Sequence, residues 1–325
     1  MSYISVALTH SPKLNTIAHT GTDGVAARVY RMVKRSNNDE QEQPQGDDSV
    51  HPVYLPQGTV FKIARMRPKR SNTPPNPEAS KAWRLKQTEE EAMTMLESAE
   101  VRGLKLMPTG SNYTFMAMLC NPETGKEYAA VYKPVRGEAP LWDFPNGTLY
   151  QRECAAYVVC RALGWSFIPP TVIRDGPHGI GTMQLFIDTD ESRNLYDFRD
   201  EHEFEIQRIT IFDLITNNAD RKPSHFLLGM DGFVWGIDHG LCFNSVPKLR
   251  TVVWDYAGMD IPEDIAQDLQ ELATNHVKTK KLEAQLNQML DPSEVEIFFK
   301  RLESLAQNPR FPQLNSRRQV PWGFF

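Results

Sequence analysis

The chain has 325 residues, of which 40% are hydrophobic and 24% charged, and its formal net charge at pH 7 is −5. This composition is typical of a soluble globular protein and permits one large domain or two modest ones. So mild a charge argues against a protein that binds nucleic acid over its whole surface, and no apolar run is long enough to cross a membrane.

The N-terminus does not combine a basic segment with a long apolar stretch, so it does not resemble a secretory signal. The cysteines have no metal-binding spacing, and we interpret them as small buried side chains in a reducing compartment. They are Cys120, Cys154, Cys160 and Cys242. We therefore expect a cytoplasmic protein.

Residues 1–82 are rich in Ser, Asn, Gln and Pro and lack apolar periodicity. This composition predicts a disordered or loosely packed extension, within which residues 55–63 are compatible with a short strand. The basic run 62–70 suits a solvated linker, and contact with anionic lipid or nucleic acid is the less favoured alternative.

Ordered structure is expected from residue 83, with strand and helix patterns up to residue 187 and mostly helical patterns after it. The predicted helices are 87–101, 148–163, 203–216 and three segments of 262–307 that break near Lys278 and at Asp291. The predicted strands are 104–107, 113–119, 127–133, 171–173, 181–187, 225–228 and 233–237, and the hairpin 171–187 turns at Asp175-Gly176. This order predicts an α+β fold of two lobes, a mixed N-lobe (83–187) and a mainly helical C-lobe (188–325), with a cleft between them.

Two aspartates flank the last predicted hairpin. Asp220 precedes its first strand and Asp238 follows its second, and Met230-Asp231-Gly232 forms the turn. A hairpin holds its two ends close together, so both carboxylates should face one cleft. There, one carboxylate can orient a hydroxyl group while the other holds Mg²⁺ on the phosphates of a nucleotide. Turn formation and capping are the structural alternatives for these two residues.

A cation for the phosphates is available at Lys133. Strand alternation places Lys133 on the same side as small apolar residues, so its amine should point into the cleft. Glu153, on the following helix, can pair with that amine, and the turn 108–112 can cradle phosphates with its backbone amides. The structural alternatives are that Lys133 is an ordinary solvated lysine, that Glu153 is a surface residue, and that the turn 108–112 only reverses the chain.

A metal-dependent hydrolase is a competing interpretation, because His225 and His239 lie close in sequence to the two aspartates. No His-x-His or His-x3-His spacing supports it. It also leaves Lys133 and Glu153 without a role.

The order of phosphate turn, lysine strand, glutamate helix, Asp220 loop and Asp238 turn resembles the phosphatidylinositol 3/4-kinase-like branch of the protein-kinase-like fold. Residues 100–245 carry the resemblance. Gly-Ile-Asp238-His-Gly-Leu is similar to the metal-binding turn of type II phosphatidylinositol 4-kinases, and Asn-Ala-Asp220-Arg221 is similar to their catalytic loop. HipA-like bacterial kinases share the layout, and a small bacterial branch of the family has a similar Tyr-Lys-Pro strand and Gln-Arg-Glu helix.

The resemblance implies that ATP and Mg²⁺ or Mn²⁺ bind in the cleft. Lys133 would hold the α- and β-phosphates and Glu153 would position it. Asp220 would be the catalytic aspartate, Arg221 of the same loop would be a catalytic residue with it and with Lys133, and Asp238 would be the main metal ligand. The phosphate turn would contain Gly110, Ser111 and Asn112, and the adenine-binding hinge Gln184, Leu185 and Phe186.

One position departs from the family pattern. The family places a second metal-binding Asn five residues after the catalytic Asp, where this chain has His225, and neutral imidazole is a poor ligand for Mg²⁺. His225 is the candidate metal ligand at this position, and the departure favours one metal ion, a preference for Mn²⁺, or a weak or inactive kinase.

The expected function is therefore an ATP-dependent phosphotransferase that acts on a hydroxyl of a protein, a small molecule or an inositol lipid. A pseudokinase that binds nucleotide without turnover is the alternative. The phosphate acceptor is not specified by the sequence, and neither a nucleic acid partner nor a transmembrane segment is expected.

Overall fold

A computed structural model describes residues 86–107 and 111–321 of the chain. The predicted extension 1–82, its short strand and its basic run lie outside the described residues, as does Gly110 of the phosphate turn.

One antiparallel sheet of five strands, in the order β1-β2-β3-β5-β4, forms the first half of the described structure. The strands are β1 Glu100–Leu106, β2 Phe115–Cys120, β3 Glu127–Pro134, β4 Thr171–Gly176 and β5 Gly179–Leu185. Helices α1 Lys86–Ser98 and α2 Leu149–Ala162 both pack against β4 and β5.

Strand alternation divides the sheet into two apolar faces. Ala130 and Tyr132 of β3 are fully buried in a cluster with Leu96 of α1. Ala129, on the opposite face of β3, joins a smaller cluster with Met116. Lys133 shares the face of Ala129, so the sheet itself directs the lysine away from α1.

The second half is mainly helical and contains a short hairpin. Its elements are α3 Leu195–Phe198, α4 Glu203–Thr216, β6 Phe226–Leu228, β7 Val234–Gly236, α5 Glu263–Thr274, α6 His276–Leu286 and α7 Pro292–Gln307. The second half of α4, residues 209–216, is buried on nearly every side, as expected for a mostly apolar helical segment. α4 packs against α7 and β7. It therefore supports the loop of Asp220, which follows α4, and the turn of Asp238, which follows β7. Within the described ranges, no helix combines the length and the apolar character needed to span a membrane.

The predicted α+β architecture of two lobes is confirmed: an antiparallel N-lobe sheet with its helices is followed by a mainly helical C-lobe. The boundaries at residues 83, 187 and 188 stay a prediction.

Several predicted element ends differ from the structure, and for three of them a local contact gives the reason. The first helix ends at Ser98 rather than Val101, because Val101 already pairs with Leu119 in the sheet. The break in the C-terminal helices lies at Asn275 rather than near Lys278, because the Asn275 side chain caps α6. Asp175 and Gly176 belong to β4, so the β4–β5 turn falls just after them.

Candidate active site

Lys133 stands at the centre of the candidate site. Its Nζ donates a hydrogen bond to Oε1 of Glu153 and lies 2.9 Å from Oδ1 of Asp238, which is 105 residues further along the chain. Burial alone would lower the pKa of Lys133, but the carboxylates of Asp238 and Glu153 outweigh it and raise that pKa. The amine is therefore a cation held between two anions.

Glu153 is fixed at both of its oxygens. Oε1 accepts from Lys133, and Oε2 accepts from the backbone N–H of His239 at 3.0 Å. The side chain is 4% exposed, so it is closed to solvent. Glu153 thus links α2 to the lysine of β3 and to the turn that follows β7.

Asp238 follows β7 with a backbone φ of +66°, in the left-handed region that non-glycine residues seldom occupy. This conformation turns its carboxylate toward Lys133, whose charge holds the pKa of Asp238 well below its usual range. The side chain is 51% exposed. Asp238 is therefore an ionised carboxylate that a ligand can reach.

Asp220 lies in the loop that follows α4. Burial raises the pKa of Asp220 more than the contact with Lys222 lowers it, and the charge of Asp238 raises it further. Oδ2 of Asp220 lies 2.7 Å from Nζ of Lys222. The sequence analysis did not single out Lys222, although its position two residues after Asp220 was a signal that it could reach the same carboxylate.

Arg221 was expected in the catalytic loop, and the structure corrects its role. Its side chain is fully buried. The guanidinium forms two hydrogen bonds with Asp213 of α4, at 2.8 and 2.9 Å, and donates to the carbonyl of Ile237 at 2.7 Å. Arg221 cannot touch a substrate from there; it braces the Asp220 loop against the segment before Asp238.

The two histidines have different environments. Nε2 of His225 lies 3.2 Å from Oδ2 of Asp238, and burial lowers the pKa of His225 to about 4, so its ring is neutral. His239 is fully buried, and its Nε2 lies 2.7 Å from Nη2 of Arg221. Sequence reasoning missed Asp213 and the contact between Arg221 and His239; an aspartate within the apolar run of α4 was the available signal.

The phosphate turn borders an open cavity of about 420 Å³ whose lining includes Ser111, Asn112 and Arg136. Ser111 is exposed. Asn112 is committed to the fold, because its Oδ1 accepts from the backbone N–H of Ala139 at 2.7 Å.

The predicted hinge is only partly open to a ligand. Gln184 is buried and its amide donates to the Thr171 hydroxyl at 2.8 Å, and the Leu185 side chain packs in the cluster with Leu96 on the far face of the sheet. Phe186, by contrast, packs beside Ala129 on the face that carries Lys133. Of the three predicted hinge residues, only Phe186 packs its side chain in the cluster beside Ala129, and their binding of adenine stays a prediction.

The donor set can be tested against the expected metal. No group of three or more His, Cys, Asp or Glu suited to a metal ion occurs among residues 86–107 and 111–321. Asp220 and Asp238 are two oxygen donors, and Mg²⁺ commonly uses one or two carboxylates together with phosphate oxygens and water. The residues therefore fit a cation that binds with a nucleotide, and they do not fit the resident zinc or iron of a hydrolase.

Comparison with curated proteins gives a relative that this chain covers over most of its length. The chain is 37% identical over 267 residues to Protein Rv2133c of Mycobacterium tuberculosis, an alignment that covers 71% of this chain and 94% of that protein. No family model matches the chain.

Two plant proteins match a shorter part. Phosphatidylinositol 4-kinase gamma 4 of Oryza sativa subsp. japonica is 28% identical over 169 residues, which are 41% of this chain and 30% of that protein. Phosphatidylinositol 4-kinase gamma 3 of Arabidopsis thaliana is 24% identical over 182 residues, 41% of this chain and 32% of that protein. The chain thus spans about a third of the length of these plant proteins.

Among solved structures, the Golgi casein kinase has a TM-score of 0.41 and 16% identity, over 68% of this chain and 74% of that one. The Helicobacter pylori proinflammatory kinase CtkA has a TM-score of 0.42 and 11% identity, over 66% of this chain and 94% of that one. Scores and identities at this level do not establish a shared activity.

Proposed function

The chain belongs to the family of Protein Rv2133c of Mycobacterium tuberculosis, and for this member we propose an ATP-dependent phosphotransferase, an atypical kinase that moves the γ-phosphate of ATP to a hydroxyl group. The observation that carries the proposal is the Lys133 amine held between the carboxylates of Glu153 and Asp238. The partial sequence similarity to plant proteins named phosphatidylinositol 4-kinases supports it.

In the proposed site Lys133 binds the α- and β-phosphates of ATP. Glu153 keeps the amine in place, since both of its oxygens are already engaged. Asp238 binds the divalent cation that accompanies the nucleotide. When bound, Mg²⁺ or Mn²⁺ neutralises the charge that develops on the phosphoryl group as it is transferred.

Asp220 orients the acceptor in the proposed reaction. Its carboxylate accepts a hydrogen bond from the acceptor hydroxyl and takes the proton as that oxygen bonds to the γ-phosphorus and ADP leaves. Burial raises the pKa of Asp220, which makes it a stronger base than an exposed aspartate. Lys222 has to release Asp220 Oδ2, or share it, when the acceptor binds.

A second candidate is a nucleotide-binding module without turnover, a pseudokinase. The observation that favours it is His225, whose side chain faces Asp238 at the position where the resemblance calls for a second metal-binding Asn. Both candidates share the nucleotide site, and they differ only in whether phosphate leaves the nucleotide. In either case the acceptor class, whether protein, small molecule or inositol lipid, is open in this proposal.

The test uses the purified full chain and two measurements: the shift in melting temperature with Mg²⁺- or Mn²⁺-ATP, and ADP formation with lipid, protein and metabolite acceptors. A ligand that binds only the native state raises the melting temperature. A kinase gives both signals, a pseudokinase gives the shift alone, and the absence of any shift overturns both candidates.

Three variants assign the roles of the carboxylates. Asp238→Asn should abolish both signals, whereas Asp220→Asn should keep the shift and lower turnover by roughly 10²- to 10⁴-fold, as expected for loss of a general base. Asp255→Asn is the matched control, because Asp255 pairs with Arg199 on the surface, 48% exposed. If Asp238→Asn leaves nucleotide binding and turnover unchanged, the metal-binding assignment is wrong.

A further inference from the structure

The candidate metal ligand Asp238 is held at both oxygens by side chains of this chain. Lys133 Nζ lies 2.9 Å from Oδ1, and His225 Nε2 lies 3.2 Å from Oδ2. Each carboxylate oxygen keeps a further lone pair, since an ionised carboxylate offers about four acceptor sites. The 51% exposure of the Asp238 side chain leaves that capacity open to a ligand.

The two nitrogens of His225 have different partners, and this fixes where its proton lies. Nδ1 accepts a hydrogen bond from the backbone N–H of Lys222, with 3.4 Å between the nitrogens. A ring nitrogen that accepts a hydrogen bond carries no proton, so the proton of the ring is on Nε2. Nε2, the nitrogen that carries the proton, lies 3.2 Å from Oδ2 of Asp238.

The backbone keeps His225 in this position. The residue ends the short 3-10 turn Pro223–His225, and its carbonyl accepts from the N–H of Ile237 at 3.0 Å and from Nη1 of Arg221 at 3.4 Å. Its side chain is only 9% exposed. Burial restricts rotation of the ring, and the hydrogen bonds to the carbonyl of His225 hold its backbone in place.

We infer that His225 is a positioning residue that orients the Asp238 carboxylate by a hydrogen bond, and that the site takes one divalent cation with the nucleotide rather than two. The inference rests on the proposed function. It also corrects the sequence expectation that His225 is itself a metal ligand. A metal on Nε2 would force the proton to Nδ1, where the N–H of Lys222 already points, and two N–H groups would then face each other.

The first experiment is nitrogen-15 NMR of the histidine side chains in the full chain, with the His225 signals assigned by their loss in His225→Asn. We expect the Nε2–H form both without ligand and with Mg²⁺ and a non-hydrolysable ATP analogue. An Nδ1–H form in either state, or a metal-shifted Nε2 signal on adding the ligands, overturns the inference. If the analogue does not bind, the proposed function fails, and the spectrum without ligand still decides whether Nε2 donates.

The second experiment counts Mn²⁺ by electron paramagnetic resonance at saturating ATP analogue. One Mn²⁺ per chain is expected, and two per chain, with the second lost in His225→Phe, would overturn the inference. His225→Phe should weaken the affinity for the single ion by roughly 10- to 100-fold, the usual cost of losing a group that orients a metal ligand.

His225→Gln is the conservative match, because its side-chain N–H can still donate to Asp238 and it does not restore the metal-binding Asn of the family pattern, so its affinity should stay close to that of the unchanged protein. Unfolding curves of both variants show whether a loss of affinity comes from loss of the fold. If both variants are folded and lose the same affinity for Mn²⁺, His225 does not act as a hydrogen-bond donor to Asp238.

Discussion

Arg152 and Glu294 form a buried ion pair, with 3.0 Å between Nη2 and the carboxylate and side-chain exposures of 2% and 9%. Arg152 precedes Glu153 on α2, and Glu294 lies in the first turn of α7. The guanidinium also donates to the carbonyl of Cys242 at 2.8 Å. One arginine thus ties the helix that carries Glu153 to the last long helix and to the segment after Asp238.

This pair predicts a large effect of removing one partner. Glu294→Ala leaves the Arg152 charge buried without a counter-ion, so the free energy of unfolding should fall by about 3–5 kcal/mol. Urea unfolding followed by circular dichroism measures the change. In the control Asp255→Ala, which removes the exposed partner of Arg199, the loss should be about 0–1 kcal/mol. Similar small changes in both variants would mean that the pair does not hold α2 and α7 together.

Lys133→Met should abolish the rise in melting temperature caused by Mg²⁺-ATP. The substitution removes the amine proposed to hold the phosphates and leaves Glu153 and Asp238 without their shared cation. Thermal unfolding with and without nucleotide gives the result. Lys126→Met is the control, since Lys126 pairs with Glu91 at the surface, 52% exposed, and its variant should keep the full shift. A full shift in Lys133→Met would remove the lysine from the proposed site.

Arg221 should contribute to stability rather than to substrate contact. Arg221→Ala leaves the fully buried Asp213 unpaired and should lower the free energy of unfolding by about 3–5 kcal/mol. Arg221→Lys should also destabilise the protein, because an ammonium group cannot form the two parallel hydrogen bonds. Equilibrium unfolding tests both, with Arg102→Ala as an exposed control. A fully stable Arg221→Ala protein that has lost turnover would restore the catalytic assignment.

The cysteines should resist alkylation in the native protein. All four lie among the described residues as free thiols, and Cys154, the most accessible, has its pKa raised to about 11 by burial. A raised pKa keeps the thiol protonated below that value, and the thiolate is the form that reacts. Iodoacetamide at pH 7.5, read by mass spectrometry, should label the chain in urea but hardly at all without it. Rapid labelling of native Cys154 at that pH would contradict the assigned environment.

Sequence patterns were sufficient where structure follows from local periodicity. The apolar run of α4 was predicted at residues 203–216, as the structure has it, because a helical segment buried on nearly every side is mostly apolar. The face of Lys133 followed from strand alternation, since successive side chains of β3 point to opposite sides. The Asp-Gly turn likewise indicated the hairpin that brings Asp220 and Asp238 near each other.

Only the tertiary structure decided which side chains near Lys133, Asp220 and Asp238 are already bound to other groups of the protein. Arg221 adjoins Asp220 in sequence yet is buried against Asp213, and Gln184 is bound to Thr171 under α2. His225 looked like a ligand in sequence, but the N–H of Lys222 and the carboxylate of Asp238 fix its proton. Arg221 and His225 lie in segments without a strand period, and the partner of Gln184 comes from another strand, so the chemistry of all three depends on partners brought near only when the chain folds.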